Sequence, residues 1–414
     1  MQVHSDAAGS HGFGVFFRVC WCAVPWPQSW VQGGITSNLT FLELFPIVVA
    51  VHLREEEFQD ATGSFLEKHD ICREFALVRW LFDGIPPSQD SKLLIQDLVF
   101  DDVPVRLYWP KTPVAGQRRR MLYLHGGAGL IGSIQAYEWV CRSIARRSDS
   151  VVVCVGYCLA PEHPYPVLIK DSHSAAIHFL KHSKDYGVDP NRIIIGGDST
   201  GGTYAAAVAH ELVSQVDLPR LRAQILIDPF LQALDFNLPP YQLYHSSPIV
   251  YIYKKAIWLG FRTLGKKVRG VDAIMKNAHV PEAMRVKYSK WISADLIPAE
   301  FKLKCSEPPV LAPFSEELYE VCKPALETKF SPLLADDEVI QQLPETFLLT
   351  CEYTVFRDDR LLYKKRLEDN GVPVTWHHLQ DGFHGNFYLV DYPLIEFQCT
   401  RDAVKQVIHF LEGL

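Results

Sequence analysis

The stretch Ile193-Ile194-Ile195-Gly196-Gly197-Asp198-Ser199-Thr200-Gly201-Gly202-Thr203-Tyr204-Ala205-Ala206-Ala207 decides the fold. Three successive isoleucines form the continuous β-branched run expected of a strand buried on both faces. The small residues after Thr203 read as a closely packed helix. Between them Gly197-Asp198-Ser199-Thr200-Gly201 is a G-x-S-x-G pentapeptide in the setting its chemistry requires, strand, sharp turn, helix. The requirement is steric. A nucleophile held on a strained turn needs neighbours without side chains, so that its hydroxyl stands clear of the sheet. Gly197 and Gly201 meet it, and the helix N-terminus brings positive dipole close to developing negative charge.

Working outward, apolar runs at 121–124, 151–155, 225–227, 347–349 and 372–379 repeat the strand signal, and 103–109 alternates like an edge-type strand. Helical stretches lie at 138–147, 171–184, 203–216 and 359–370, with Gly371 as a C-terminal stop. Val404, Val407, Ile408 and Leu411 form one apolar helix face near the end of the chain. Such alternation specifies an α/β fold with a mostly parallel central sheet flanked by helices. It breaks down over about 235–332, where Pro239-Pro240 and several aromatics stand. An excursion of that size over the carboxyl end of a sheet would make a helical cap. The expected organisation is a divergent N-terminal segment over 1–71, membrane-associated or part of the cap, and an α/β domain over 72–414 carrying the cap insertion.

Acyl transfer needs an oxyanion hole. His125-Gly126-Gly127-Ala128 follows the 121–124 strand, and its glycines let backbone N–H groups turn inward. Gly126 and Gly127 are assigned as donors, with the N–H of Thr200 as the third. The base should be a histidine on the loop after the last strand. Of the 16 histidines, His377 and His378 fall inside the 372–379 strand, whereas His384 in Asp381-Gly382-Phe383-His384-Gly385 lies beyond it and before the final helix. His384 is the candidate base. The hydrolytic chemistry these residues support calls for no metal and no cofactor.

These motifs, together with Tyr157-Cys158-Leu159-Ala160-Pro161-Glu162-His163-Pro164-Tyr165-Pro166 and the 351–359 stretch, resemble the hormone-sensitive-lipase-like branch of the α/β-hydrolases, and within it the arylacetamide deacetylase-like group. The resemblance covers roughly residues 72 to 414. It implies an α/β-hydrolase fold with a cap, serine carboxylesterase or deacetylase activity, and uncharged ester, amide or acylglycerol substrates of small-molecule or lipid type. It also implies anchoring to the endoplasmic reticulum membrane by an N-terminal helix. The chain departs from the family pattern at three positions. Ala128 stands where a third glycine is usual, and Thr200 where alanine follows the nucleophile. Thr354 stands at the acid position, about thirty residues before the histidine, where the family places an aspartate.

A threonine can accept a hydrogen bond from an imidazole but carries no charge to stabilise the imidazolium. Glu352 and Asp358 are substitute acids by proximity. Their structural readings are a structural partner for Glu352 and, for Asp358, a cap on the helix starting near Asp359. Two functions of different class therefore stand: a serine esterase with a weakened or rerouted triad, and a catalytically weak or inactive hydrolase-fold protein that binds a ligand or partner.

Composition bounds the remainder. Over 414 residues, 48% are apolar and 21% charged, and the net charge is −7. That is an ordinary globular balance and argues against nucleic-acid binding by phosphate neutralisation. Arg118-Arg119-Arg120, the longest basic run, reads as a solvated loop. Ten cysteines with no C-x-x-C pair point to unpaired thiols rather than a disulfide or zinc framework. Near the N-terminus, 12–31 is interrupted as a membrane span by Arg18, Pro25, Pro27 and Gln28, and 44–51 is too short to cross. The first seventeen residues hold no Lys or Arg, unlike a signal peptide. Asn38-Leu39-Thr40 is a glycosylation sequon, meaningful only in the secretory lumen.

Overall fold

The structure is a computed structural model. It describes residues 3–8, 12–17 and 20–25, positions 75, 79, 82, 83, 87 and 90, and residues 91–414 apart from 114–116, 187, 244–256, 267–269, 303–310 and 393–396. The Asn38 sequon and the 44–51 apolar run lie outside the described residues. Within 12–31 the chain forms two strands, and β1 (Val3–Ala8), β2 (Gly12–Phe17) and β3 (Cys20–Pro25) pair antiparallel in a sheet of their own. Among the described residues, no helix is long and apolar enough to cross a membrane.

The principal sheet has eight strands: β4 (Leu93–Phe100), β5 (Val103–Pro110), β6 (Arg118–Leu124), β7 (Val151–Val155), β8 (Val188–Asp198), β9 (Ala223–Ile227), β10 (Glu345–Tyr353) and β11 (Val374–Phe383). Their spatial order is β11-β10-β9-β8-β6-β7-β5-β4. From β11 to β7 every pairing is parallel, and β5 and β4 complete the sheet antiparallel. Continuous apolar strands follow from burial on both faces. In β7, Val151, Val153 and Val155 enter one core and Val152 and Cys154 the other. Helices α1 (Glu138–Ser148) and α5 (Gln398–Gly413) cover the second core with Val140, Ile144, Val404 and Val407. Helices α2 (Val167–Lys181), α3 (Thr200–Leu212) and α4 (Arg357–Asp369) cover the first with Leu168, Ala205 and Leu361.

Two expectations are corrected. The alternating strand over 103–109 is not an edge: β4, which carries exposed Leu94 and Val99, flanks it on one side and β7 on the other. The arginine run is not a solvated loop but the first three residues of β6, with Arg118 and Arg120 buried. The Arg120 guanidinium lies 4.5 Å from the Trp109 ring centroid and bonds the Tyr186 carbonyl, while burial, with Arg118 adding to it, lowers its pKa to about 9. An aromatic face and a carbonyl replace water here, which composition could not reveal.

Between β9 and β10 the chain leaves the sheet in short helices, among them Pro239–Leu243, Val271–Ile274, Glu282–Tyr288 and Glu316–Cys322. Phe236, Phe261 and Phe330 from this excursion line a cavity that also holds Ser199. It is tied to the sheet domain by Thr263, whose hydroxyl donates to the Ala128 carbonyl and whose own carbonyl accepts from Tyr165 N–H at 2.8 Å. Among the described residues the free thiols include Cys141, Cys154, Cys158 and Cys351.

Candidate active site

Ser199 sits between the last residue of β8 and the first of α3, with φ 51° and ψ −125°. A non-glycine residue with positive φ is strained, and its neighbours explain how it is held. A Cβ on Gly197 or Gly201 would fall on the Leu124 carbonyl, and one on Gly201 also on that of His125, so helix and strand approach at backbone distance. The Ser199 N–H donates to Ile227 O at 2.9 Å, fastening the turn to β9.

His384 follows β11 directly. Its Nε2 lies 2.9 Å from Ser199 Oγ, so the fold brings together two side chains 185 residues apart in sequence. The expectation for the acid is corrected. Nδ1 of His384 lies 2.7 Å from Oδ2 of Asp228, the residue that follows β9. Register explains why. Asp198 pairs with Ile227 and Leu349 pairs with Ile227, so Ser199 and Asp228 leave adjacent strands at one level. Thr354 comes five positions beyond Leu349, after β10 has ended. It is buried, and its Oγ1 accepts the Phe356 N–H at 3.3 Å. Asp358 is also turned away: its carboxylate takes the Arg357 Nε–H at 2.9 Å. Nor does it cap a helix, since α4 begins at Arg357 after an N-cap at Phe356. Glu352 has the structural partners foreseen, Arg357 at 2.7 Å and His378 at 3.1 Å.

Asp228 is 3% exposed and has φ 47°. Burial pushes its carboxyl up, but the Arg360 charge and the His384 bond outweigh this and hold it below the ordinary carboxylate value. Arg360 Nη1 stands 2.6 Å from Oδ1, and the Cys351 N–H reaches the same oxygen at 3.2 Å. Behind the serine, Asp198 accepts from Tyr123 and Tyr137 hydroxyls at 2.8 Å each. Burial, partly offset by those bonds, raises its carboxyl to about 6.

The glycine loop is set by His125, buried under the Tyr157 ring with centroids 4.2 Å apart. Its Nδ1 bonds Gly126 O at 2.8 Å, and burial, partly offset by that bond, lowers its pKa to about 4, so the ring is neutral. Gly127, Ala128 and Thr200 border the cavity beside Ser199, and Gly126 does not. A Cβ on Gly126 would meet Asp198 Oδ2 and Tyr137 Oη at 2.8 Å, so this residue packs against the buried carboxylate behind the loop. The pair bordering the cavity is therefore one residue later than the sequence suggests. Ala128 adopts φ 54° without a glycine's freedom. The Tyr157–Pro166 motif supports this wall: besides the Tyr157 stack, Glu162 pairs with Arg79, whose Nη2 also donates to Ala160 O at 2.6 Å.

The cavity has a volume of about 210 Å³, and Phe230, Phe236, Phe261, Phe330 and Phe356 dominate its lining. Among the described lining residues, His384 is the one His, Lys, Arg, Asp or Glu side chain. Among the described residues, no group of three or more His, Cys, Asp or Glu side chains could hold a metal ion.

Comparison with known proteins agrees with this architecture. A family described as having the alpha/beta hydrolase fold matches residues 121–262 and 311–388. Arylacetamide deacetylase-like 4 of Homo sapiens is 42% identical over 352 residues, covering 85% of this chain and 86% of that protein. Arylacetamide deacetylase of Mus musculus is 38% identical over 318 residues, covering 74% and 78%. Among solved structures, a thermostable esterase from Pseudomonas putida superposes with a TM-score of 0.58 at 21% identity, covering 81% of this chain and 88% of the esterase. The hyperthermophilic esterase from Pyrobaculum calidifontis does so with a TM-score of 0.55 at 22% identity, covering 86% and 91%. The strand–turn–helix serine, the histidine loop and these matches agree, and the chain belongs to the arylacetamide deacetylase-like, esterase-type branch of the hormone-sensitive-lipase-like α/β-hydrolases.

Proposed function

We propose that the protein is a serine hydrolase of uncharged esters, amides or acylglycerols, working through Ser199, His384 and Asp228. The observation carrying this reading is the continuous relay from Oγ to Nε2 at 2.9 Å and from Nδ1 to an aspartate at 2.7 Å. With Nδ1 protonated toward Asp228, Nε2 is free to accept the Oγ proton as the serine attacks the acyl carbonyl. The anionic aspartate stabilises the resulting imidazolium. The N–H groups of Gly127, Ala128 and Thr200 face the developing oxyanion; Thr200 opens α3, so its N–H has no partner within the helix. His384 then protonates the leaving alcohol or amine and activates water for deacylation. The phenylalanine-lined cavity, about 210 Å³, supports an apolar acyl or aryl group as its occupant, and among the described lining residues there is no Lys or Arg to pair an anionic substrate. The excursion between β9 and β10 acts as the cap that supplies this wall.

Thr354 was the feature favouring a non-catalytic binding module, and a neighbouring carboxylate on the imidazole removes that motive. The test is steady-state hydrolysis of p-nitrophenyl butyrate by the wild type and Ser199→Ala. The reading requires saturable turnover lost by at least 10³-fold in the variant. A folded wild-type protein with no turnover above the variant would return the binding-module reading.

A further inference from the structure

The Asp228 carboxylate does not stand alone: a buried cation from the first turn of α4 grips its whole turn. Arg360, fully buried in α4, donates through Nε to Pro229 O and through Nη2 to Asp228 O, each at 2.8 Å, while Nη1 stands 2.6 Å from Asp228 Oδ1. Its Nη2 also lies 3.4 Å from His384 Nδ1. We propose that Arg360 is a positioning residue of the hydrolytic site: it fixes the 228–229 turn, occupies Oδ1 of Asp228 and so presents Oδ2 to the imidazole. This inference rests on the serine-hydrolase reading.

The geometry gives the guanidinium two separable effects. Its planar fork bridges two backbone carbonyls and a carboxylate, which a single ammonium cannot do. That holds a residue with φ 47° in place beside the imidazole. Its charge, set against the Asp228–His384 pair, opposes arrival of a further proton on that pair. The other titratable carboxyl groups facing this pocket have partners of their own. Asp198, ending β8, is held by Tyr123 and Tyr137; Glu352 of β10 and Asp358 of α4 both pair with Arg357. Asp359 accepts from Tyr241 and Gln232, at 2.6 and 2.8 Å. Asp228 is thus the carboxylate within ion-pair distance of Arg360 among the described residues.

The test uses Arg360→Met, which removes charge and fork, and Arg360→Lys, which keeps the charge. Circular dichroism monitors folding, and p-nitrophenyl butyrate hydrolysis is followed from pH 5 to 9. In Arg360→Met, kcat should fall at least 30-fold, and the acidic limb of kcat/KM should move to higher pH by about 1 unit, the low end expected for loss of a charge within 4–6 Å. In Arg360→Lys, kcat should fall about tenfold with the limb in its wild-type position. A folded Met variant whose limb coincides with the wild type overturns the proposal. If the Met variant does not fold, the Lys variant decides: a kcat within threefold of wild type overturns it, and a larger fall with an unmoved limb supports it. An inactive wild type would instead refute the serine-hydrolase reading on which the proposal stands.

Discussion

Replacing Asp228 by asparagine removes the negative charge from the relay and nearly nothing else. The 2.7 Å contact to His384 Nδ1 is then made by a neutral amide. If the amide NH₂ turns to Nδ1, it holds the imidazole in the tautomer that cannot accept from Ser199. In serine proteases the equivalent change lowers kcat by about 10⁴, which is roughly 5.5 kcal/mol at about 1.36 kcal/mol per decade. The same loss of about 10⁴ in kcat, with KM little changed, is expected here. Stability falls too, because Arg360 keeps a fully buried charge without its anion, and breaking such a pair costs about 3 kcal/mol or more. The assay therefore pairs p-nitrophenyl butyrate kinetics with a thermal melt, run at a temperature where the variant is folded. The control is Thr354→Asp. Its side chain is buried and directed to the Phe356 N–H, so a carboxylate there should give no more than a threefold gain in turnover. A folded Asp228→Asn protein retaining kcat within tenfold of wild type, or a large gain in Thr354→Asp, would refute the assignment of the acid.

Three further outcomes follow from the same geometry. Gly201→Ala places a methyl on the Leu124 and His125 carbonyls, so the elbow cannot close, and soluble folded protein measured by circular dichroism should be lost or its melting temperature sharply lowered. Ala128→Gly relieves a left-handed alanine worth about 1 kcal/mol and removes a methyl from the cavity wall. Activity should be retained and kcat/KM should shift toward bulkier acyl groups in a p-nitrophenyl ester series. Burial raises the Asp359 carboxyl to about 8, despite bonds from Tyr241 and Gln232. A carboxyl whose folded value lies above its unfolded one costs stability progressively as pH rises between the two. Asp359→Asn should therefore flatten the decline of melting temperature from about pH 4 to pH 8; an unchanged slope would show that this carboxyl does not titrate there.

The parts of this site that were legible in the sequence are those whose local chain geometry constrains residue type. Gly197 and Gly201 must lack side chains, and the isoleucine run must be a strand, so Ser199 could be placed without coordinates. His384 was legible because topology demands a loop after the last strand. Asp228, the proposed acid, was missed because the acid was sought by spacing from the histidine, after β10. Strand order carries no such spacing, and β9, lying between β8 and β10, can deliver a carboxylate to the same imidazole. The signal was present: an aspartate directly after the fully buried Ala-Gln-Ile-Leu-Ile strand, at the carboxyl end where open α/β sheets hold their sites. Similarly, β4 was hidden because an edge strand alternates weakly, with exposed Leu94 and Val99 beside Gln96 and Asp97. Arg120 misled because its burial depends on Trp109 and the Tyr186 carbonyl, contacts that only the folded chain assembles.

The most direct measurement is the mass of the protein after brief treatment with a fluorophosphonate, followed by peptide mapping. One adduct should form per chain, on Ser199, and heat denaturation or prior Asp228→Asn substitution should slow it strongly. A folded protein that stays unlabelled, or one labelled elsewhere with Ser199 intact, would contradict the nucleophile on which the account depends.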